Sequence, residues 1–156
     1  MDNGIHFISG LPRSGSTLLS AILRQNPKFH AGMSSPVAAL WSSLLGVMGA
    51  RGEWADLIDG EQRQNISHAV FRGYYQNIHP RQLVFDTNRL WCARMDALAQ
   101  LFPQARVIVC VRDLAWIMDS FERLYRKNAL LPSRIYAPDA AATVYTSSSL
   151  SSGETG

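Results

Sequence analysis

The chain has 156 residues, of which 47% are hydrophobic and 17% are charged, and its formal net charge is +3. This is the size of one domain with enough apolar residues to bury a core. The Lys and Arg residues are scattered and form no basic run, which disfavours nucleic acid as a partner and favours a small anionic ligand. Because the sequence shows neither a signal-peptide pattern nor an apolar run of about 18 residues, we expect no membrane partner and a cytoplasmic location.

The first predicted elements are a strand, a loop and a helix. Residues 5–10 are an apolar run typical of a strand, and residues 15–24 have the apolar spacing of a helix. The loop between them turns at Pro12 and Gly15. Backbone N–H groups at the start of such a helix favour an anion. Side-chain donors are added by Arg13, Ser14, Ser16 and Thr17. The sequence therefore predicts a phosphate-binding loop at residues 10–17.

The middle of the chain is predicted to be helical. Residues 28–36 have no clear pattern and are predicted to form a loop, whereas residues 37–48 and 61–78 carry apolar side chains at helical spacing. Two helices before the next strand make a long crossover that could cover a ligand cleft. Either an acceptor pocket or ordinary core packing would explain the aromatic residues Trp41, Trp54, Tyr74 and Tyr75.

Strands and helices alternate again towards the end of the chain. Residues 82–86 are predicted to form a strand and 89–102 a helix, followed by a strand at 106–111 and a helix at 114–127. The unbroken β-branched run at 106–111 predicts a central parallel strand that is covered on both faces. We therefore predict an α/β fold with a three-layer, P-loop-type parallel sheet flanked by helices.

The predicted sheet has only three strands, so we expect it to be incomplete and the chain to be the N-terminal part of a longer domain. That domain would span residues 1–145, and the serine-rich residues 146–156 would form a flexible tail. Cys92 and Cys110 lack metal-ligand spacing, and Cys110 lies in an apolar run, where we expect it to be a small buried hydrophobic residue. We expect no disulfide and no metal site.

Two motifs carry the chemistry. Residues 10–17 fit G-x-x-x-x-G-x-T, but Ser16 occupies the lysine position of the nucleotide-binding loop and the nearest cation is Arg13. Such a loop could bind a terminal anionic group without Mg²⁺, although a plain strand-to-helix turn with serine caps is the alternative. Arg112 follows a predicted strand, where open α/β sheets bind ligands, and Ser120 follows eight residues later. Both could contact one phosphate, unless Arg112 is simply a solvated residue.

Together these stretches resemble the sulfotransferase family that uses 3′-phosphoadenosine 5′-phosphosulfate (PAPS). Residues 11–19 are similar to its 5′-phosphosulfate loop, in the arginine-bearing form of bacterial and protein-tyrosine sulfotransferases. Residues 111–120 are similar to its 3′-phosphate motif, including the arginine-to-serine spacing, and residues 101–106 resemble the segment before it. Two motifs in the right order are more specific than either alone.

The resemblance implies in-line transfer of a sulfonyl group from PAPS to a hydroxyl or amine of a small-molecule or peptide acceptor, which leaves adenosine 3′,5′-bisphosphate. Arg13 would stabilise charge on the leaving phosphate. Arg112 and Ser120 would bind the 3′-phosphate. The loop residues implied to hold the 5′-phosphosulfate are Pro12, Arg13, Ser14, Gly15, Ser16 and Thr17. No metal is implied.

The sequence departs from the family pattern at the positions where family members carry the general base. The chain has neither the glutamate that follows the first helix in tyrosine-sulfating members nor the histidine that follows the second strand in cytosolic members. The nearest candidates are His30 and Asp86, which could also be an exposed loop histidine and a carboxylate that only orients its neighbours. Arg89 is the candidate to replace a lysine expected near Thr87.

Two other functions stay open at this point. A P-loop nucleotide kinase that has lost its lysine would need Mg²⁺ and ATP. A non-catalytic nucleotide-binding module would keep the fold without a base. The glycine-rich segment with which the family covers adenine has no match here, so we expect truncation or completion by a partner, for which a homo-oligomer is one option.

Overall fold

The structure is a computed structural model that describes residues 4–49 and 53–127. It divides at Met118 into two compact units, Met1–Met118 and Asp119–Gly156. The second unit is described as far as residue 127, where ion pairs at helical i, i+4 spacing join Arg123 to Asp119 and Arg126 to Glu122. The predicted domain end at residue 145 and the predicted tail lie outside the described residues.

The described residues form four strands, five α-helices and two 3₁₀ helices. The strands form one parallel sheet in the order β2–β3–β1–β4. This confirms the predicted α/β fold with an open parallel sheet. We call the second 3₁₀ helix the Arg89 helix. In chain order the elements are β1 (Ile5–Gly10), α1 (Ser16–Leu23), β2 (Phe29–Ala31), α2 (Val37–Met48), a 3₁₀ helix (Ala55–Leu57), α3 (Gly60–Tyr74), β3 (Leu83–Thr87), the Arg89 helix (Arg89–Arg94), α4 (Met95–Leu101), β4 (Val107–Cys110) and α5 (Leu114–Lys127).

Helices cover both faces of the sheet. Successive residues of a strand point to opposite sides, and β1 has buried apolar residues on both. On one face Phe7 packs against Phe71 of α3 and Trp91 of the Arg89 helix, and Trp41 of α2 packs against both of these rings. On the other face its neighbour Ile8 packs with α1. The crossover helices α2 and α3 therefore form the larger core, which accounts for the burial of Trp41 and Tyr75, whereas Trp54 and Tyr74 are exposed.

The strand β2 was not predicted, since residues 28–36 were expected to form a loop. It has three residues, and it pairs with β3 from Phe29 opposite Leu83 to Ala31 opposite Phe85. Three residues are too few to show an alternating pattern, so pairing with a neighbour, rather than local sequence, determines this strand.

The predicted helix bounds also shift. The helix α3 starts one residue earlier, at Gly60, because Asp59 and Gln62 form a capping box, and it ends at Tyr74 rather than at residue 78. The helix predicted at 89–102 begins as the 3₁₀ Arg89 helix, whose first turn is capped by Asn88 Oδ1, the acceptor for the Leu90 N–H at 3.0 Å. The helical spacing was correct, but spacing alone does not distinguish these helix types.

The prediction that residues 106–111 form a central strand is wrong for the described part of the chain. There β4 pairs only with β1 and lies at the edge of the sheet. Ile108 is 37% exposed and Val109 is 45% exposed, so neither face of this strand is fully covered. Cys110, which was expected to be buried, is half-buried for the same reason, although this partial burial still raises the pKa of its thiol.

Candidate functional site

The loop between β1 and α1 has an unusual backbone. Gly10, Arg13 and Gly15 have φ angles of 140°, 68° and 108°, in the left-handed region that non-glycine residues rarely occupy. The Ser14 N–H donates to the Leu11 carbonyl at 3.1 Å and closes a tight turn. Left-handed residues of this kind are typical of backbone nests, in which successive N–H groups converge on an anion.

The start of this loop is packed directly against the end of β4. A Cβ atom at Gly10 would lie 2.4 Å from the Cys110 carbonyl oxygen and 2.7 Å from Ser14 Oγ. No side chain fits at these distances, so this position requires glycine. A Cβ at Gly15, by contrast, would meet no atom within 4 Å. The open side of the loop is therefore at Gly15, where α1 begins.

Two unsatisfied features at the loop fit an anionic ligand. The Ser14 Oγ atom is buried and has no hydrogen-bond partner in the described part of the chain. The helix α1 begins at Ser16 without a side-chain cap among the described residues, so its first N–H groups are available. An unpaired buried hydroxyl is costly, and a phosphate oxygen would satisfy it. The donor set therefore fits the 5′-phosphosulfate of PAPS.

Arg112, the arginine of the second motif, contacts the loop by a hydrogen bond. Its Nη1 donates to the main-chain carbonyl of Arg13 at 3.2 Å, and its guanidinium carbon lies 5.9 Å from the centre of the Trp116 ring. The structure thus brings Arg112 to the predicted phosphate loop. Ser120 is half-buried in α5 and belongs to the second unit, and its role in binding the 3′-phosphate stays a prediction.

A groove of about 480 Å³ lies beside the loop, at the carboxyl ends of β1 and β4. It is mostly apolar, and two arginines, Arg89 and Arg112, are part of its lining. The guanidinium of Arg89 makes no hydrogen bond or ion pair with any described residue. This supports Arg89 as a further cation near the loop. The other lining residues are Gly10, Leu11, Pro12, Leu90, Cys92, Val109, Cys110, Val111 and Ile117.

His30, a candidate base, lies on the edge strand β2. It pairs with Val84, which pairs in turn with Ile5, five residues before the loop begins at Gly10. At about 3.3 Å per residue, this places His30 roughly 16 Å back along the sheet. Its ring contacts the ring of Tyr75 edge-on at 5.9 Å. Burial, with a smaller effect of nearby Arg24, lowers the pKa of His30, while Asp86 opposes the shift.

Asp86, the other candidate base, is 0% exposed. Its Oδ2 accepts hydrogen bonds from Ser35 Oγ at 2.7 Å and Tyr75 Oη at 2.5 Å, and its Oδ1 accepts one from Trp91 Nε1 at 3.0 Å. Burial raises the pKa of Asp86, and these three bonds oppose that shift. Because Asp86 is fully buried among these donors, a proton from an acceptor could reach it only if the surrounding groups moved.

Sequence reasoning missed Ser9, which is 1% exposed at the end of β1. Its hydroxyl donates to the Arg89 carbonyl at 3.1 Å and accepts from the Cys92 N–H at 3.2 Å. The only sequence signal was a serine in a buried strand, where a hydroxyl needs a partner. Its partners lie 80 and 83 residues away in sequence, which is why no local pattern identified them.

The described residues include no group of three or more His, Cys, Asp or Glu side chains that could hold a metal ion. Cys92 and Cys110 are both free thiols. In the same part of the chain, no helix combines the length and the apolar character needed to cross a membrane.

Comparison with known proteins identifies the class of protein that this fold and this site belong to. A model of the sulfotransferase family matches residues 6–148, and this span contains the phosphate loop, Arg89, Arg112 and Ser120. Because the match covers most of the 156 residues, the chain belongs to the sulfotransferase family. This confirms the resemblance found from its two motifs. The chain matches no curated protein.

Proposed function

We propose that the protein transfers a sulfonyl group from PAPS to a hydroxyl or amine of a small-molecule or peptide acceptor. The observation that carries this proposal is the hydrogen bond from Arg112 Nη1 to the Arg13 carbonyl, which joins the arginine of the second motif to the candidate phosphate loop. PAPS has anionic groups at both the 5′ and the 3′ position, so its binding requires two such motifs. ATP has no 3′-phosphate and would leave Arg112 without a partner on the ligand.

The loop residues would bind the 5′-phosphosulfate. The first backbone N–H groups of α1, from Ser16 onward, and the buried Ser14 hydroxyl would be the donors to the 5′-phosphate. The Arg13 side chain would stabilise the charge that develops on the leaving phosphate oxygens, and Arg89, which lines the groove beside the loop, would add a second cation. Arg112 and Ser120 would hold the 3′-phosphate. PAPS itself supplies the activated sulfonyl group when it is bound.

The acceptor must lose a proton, and the candidates for the base are still His30 and Asp86. The lowered pKa of His30 keeps its imidazole neutral and able to accept a proton near pH 7. However, His30 lies well back from the loop along the sheet, and Asp86 is enclosed by three donors. Since a base must reach the reacting hydroxyl, assignment of this role depends on the identity of the acceptor.

A binding experiment followed by a transfer assay tests the proposal. The full chain is titrated with adenosine 3′,5′-bisphosphate without metal and, separately, with ATP and Mg²⁺, while the melting temperature is recorded. We expect stabilisation by the bisphosphate, because a ligand that binds only the folded state raises its stability. Stabilisation by ATP and Mg²⁺ alone would contradict the proposal.

The transfer assay uses PAPS labelled with radioactive sulfur and a panel of phenols, alcohols, amines and tyrosine-containing peptides. We expect label in at least one acceptor class, and its loss in an Arg13→Ala variant. Bisphosphate binding without transfer to any acceptor would instead identify a non-catalytic nucleotide-binding module.

A further inference from the structure

The Arg89 helix is attached to the sheet by two buried contacts. Near its start, the Ser9 hydroxyl bridges the Arg89 carbonyl and the Cys92 N–H. Between these two residues, the Trp91 Nε1 donates to Asp86 Oδ1. A 3₁₀ helix is short and has poor internal hydrogen-bond geometry, so contacts with other elements largely determine where it lies.

Ser9 lies on the face of β1 that packs against the Arg89 helix. Strand alternation puts its side chain on the same face as Phe7, which packs against Trp91. Ser9 also immediately precedes Gly10, where the phosphate loop begins. The hydroxyl therefore links the strand that carries the loop to the helix that carries Arg89.

The bridge fixes the main chain of a residue whose side chain has no other anchor. Ser9 Oγ bonds the carbonyl of Arg89 itself. Arg89 is one of the residues that line the groove, and its guanidinium has no partner among the described residues. A long side chain on a mobile backbone loses more freedom when it binds an anion than one on a fixed backbone. Fixing the backbone therefore favours the binding of an anion by Arg89.

We infer that Ser9 is a positioning residue for donor binding, because its hydroxyl holds the Arg89 helix where Arg89 lines the groove beside the phosphate loop. This inference rests on the proposed function, since it takes the 5′-phosphosulfate as the anion that Arg89 binds. Ser9 does not contact the ligand in this scheme. It acts only through Arg89.

The test measures the dissociation constant of adenosine 3′,5′-bisphosphate by calorimetry for the full chain and four variants. These are Ser9→Ala, Arg89→Ala, the double variant and, as a matched control, Ser35→Ala. Ser35 is also a buried serine with two hydrogen bonds, one to Asp86 Oδ2 and one from the Val37 N–H, but it does not line the groove. Ser35→Ala therefore removes as many hydrogen bonds as Ser9→Ala. It leaves the Ser9 bridge intact and does not remove the bond from Trp91 Nε1 to Asp86 Oδ1.

We expect Arg89→Ala to weaken binding about tenfold, the effect of losing a charge-assisted hydrogen bond. Ser9→Ala should weaken it about threefold to tenfold in the otherwise unchanged chain and not at all in the Arg89→Ala background, because the two residues act as one unit. Ser35→Ala should bind like the original protein. Should Ser9→Ala fail to fold, Ser9→Cys, which keeps a weak donor and acceptor of similar size, takes its place in the same cycle.

Three results would overturn the inference: unchanged binding by Ser9→Ala, an equal loss with and without Arg89, or an equal loss in Ser35→Ala. Each of these presupposes that the original protein binds the bisphosphate. If it does not bind, the proposed function fails, and the inference that rests on it fails with it.

Discussion

Arg112 donates a hydrogen bond from Nη1 to the main-chain carbonyl of Arg13, at 3.2 Å and across 99 residues of sequence. The contact forms because β4 pairs in parallel with β1, with Gly10 opposite Cys110, so both chains leave the sheet at the same edge. The arginine of one motif thereby supports the backbone of the other. The effect of a substitution in either motif should therefore be measured on the binding of both the 5′-phosphate and the 3′-phosphate of the ligand.

The first prediction concerns Arg112. Arg112→Ala should weaken binding of adenosine 3′,5′-bisphosphate by about tenfold to a hundredfold, the effect of losing a charge-assisted contact. It should weaken adenosine 5′-phosphosulfate, which lacks the 3′-phosphate, by much less. Arg106→Ala is the control, since Arg106 is an exposed arginine at the opposite end of β4 and should leave both affinities unchanged. Equal losses for the two ligands would contradict the assignment.

The second prediction is a trade between stability and binding at Ser14. Because its buried Oγ has no partner in the described residues, Ser14→Ala should raise the free energy of unfolding of the ligand-free protein by about 1 kcal/mol. The same change should weaken bisphosphate binding about tenfold. Urea unfolding and calorimetry measure the two effects.

Ser20→Ala provides the contrast for Ser14. Ser20 Oγ has two partners, the Ser16 carbonyl at 3.0 Å and Thr87 Oγ1 at 2.7 Å. This variant should lose about 1–2 kcal/mol of stability, since it leaves a buried acceptor and a buried hydroxyl less satisfied. If Ser14→Ala were destabilised as much as Ser20→Ala, Ser14 would have a structural partner rather than a ligand-binding role.

The third prediction compares two glycines. Gly10→Ala would place a methyl group 2.4 Å from the Cys110 carbonyl oxygen at a φ of 140°, so we expect a loss of at least about 3 kcal/mol of stability. Gly46→Ala lies in α2, where a Cβ meets no atom within 4 Å, and it should stabilise the protein by about 0.5–1 kcal/mol. Thermal unfolding of both variants measures the difference. Similar melting temperatures would show that the backbone of β4 can move at Cys110 to make room for the added methyl group.

The fourth prediction is the titration of His30. Its pKa should lie below the ordinary 6.5, because burial and then Arg24 disfavour the charged ring. Arg24→Gln should raise this pKa, whereas Arg94→Gln, at an exposed arginine outside this environment, should not change it. The neutral ring contributes stability above about pH 6.5, and this contribution is lost as the pH falls through the lowered pKa. Proton NMR of the ring gives the values directly, and a pKa above 6.5 would contradict the prediction.

The fifth prediction concerns the buried carboxyl group of Asp86. Burial raises its pKa above the ordinary 3.8, so its contribution to stability is fully present below that value and is lost as the pH rises through the raised pKa. The Asp86→Asn variant has no titratable group at this position. The stability of the original protein relative to the variant should therefore fall as the pH is raised from about 4 to about 7. A difference that grows with pH would mean that the three hydrogen bonds outweigh burial.

Much of the fold was predictable wherever an element is long and periodic. The strand at residues 5–10 and the helix at 37–48 were predicted at the observed bounds, because burial of one or both faces is visible in the spacing of apolar residues. The strand β2 was not predictable, since three residues carry no period. The edge position of β4 was not predictable either, because an apolar run shows that both faces favour burial but not which elements cover them.

In the candidate site too, the features set by local sequence could be predicted and those set by tertiary contacts could not. The phosphate loop and Arg112 could be predicted, because glycine, serine and arginine at fixed spacing after a strand determine the local chemistry. The grouping of Ser9 with Arg89 could not, since it depends on the order of the strands and on a 3₁₀ helix that looks like an α-helix in sequence. The candidate bases were named from sequence position alone. Sheet register then placed His30 well back from the loop, and Asp86 proved to be fully buried.

The position of β1 inside the sheet has a consequence for how the protein is made. Its partners β3 and β4 are synthesised roughly eighty and a hundred residues after it, so an apolar strand leaves the ribosome long before it can pair. Contacts of such long sequence separation slow folding and expose unpaired strands to aggregation. The strand β1 is therefore made first but stays unpaired until the last two described strands, β3 and β4, have been synthesised. A nascent chain that stops short of Arg112 has no complete ligand site.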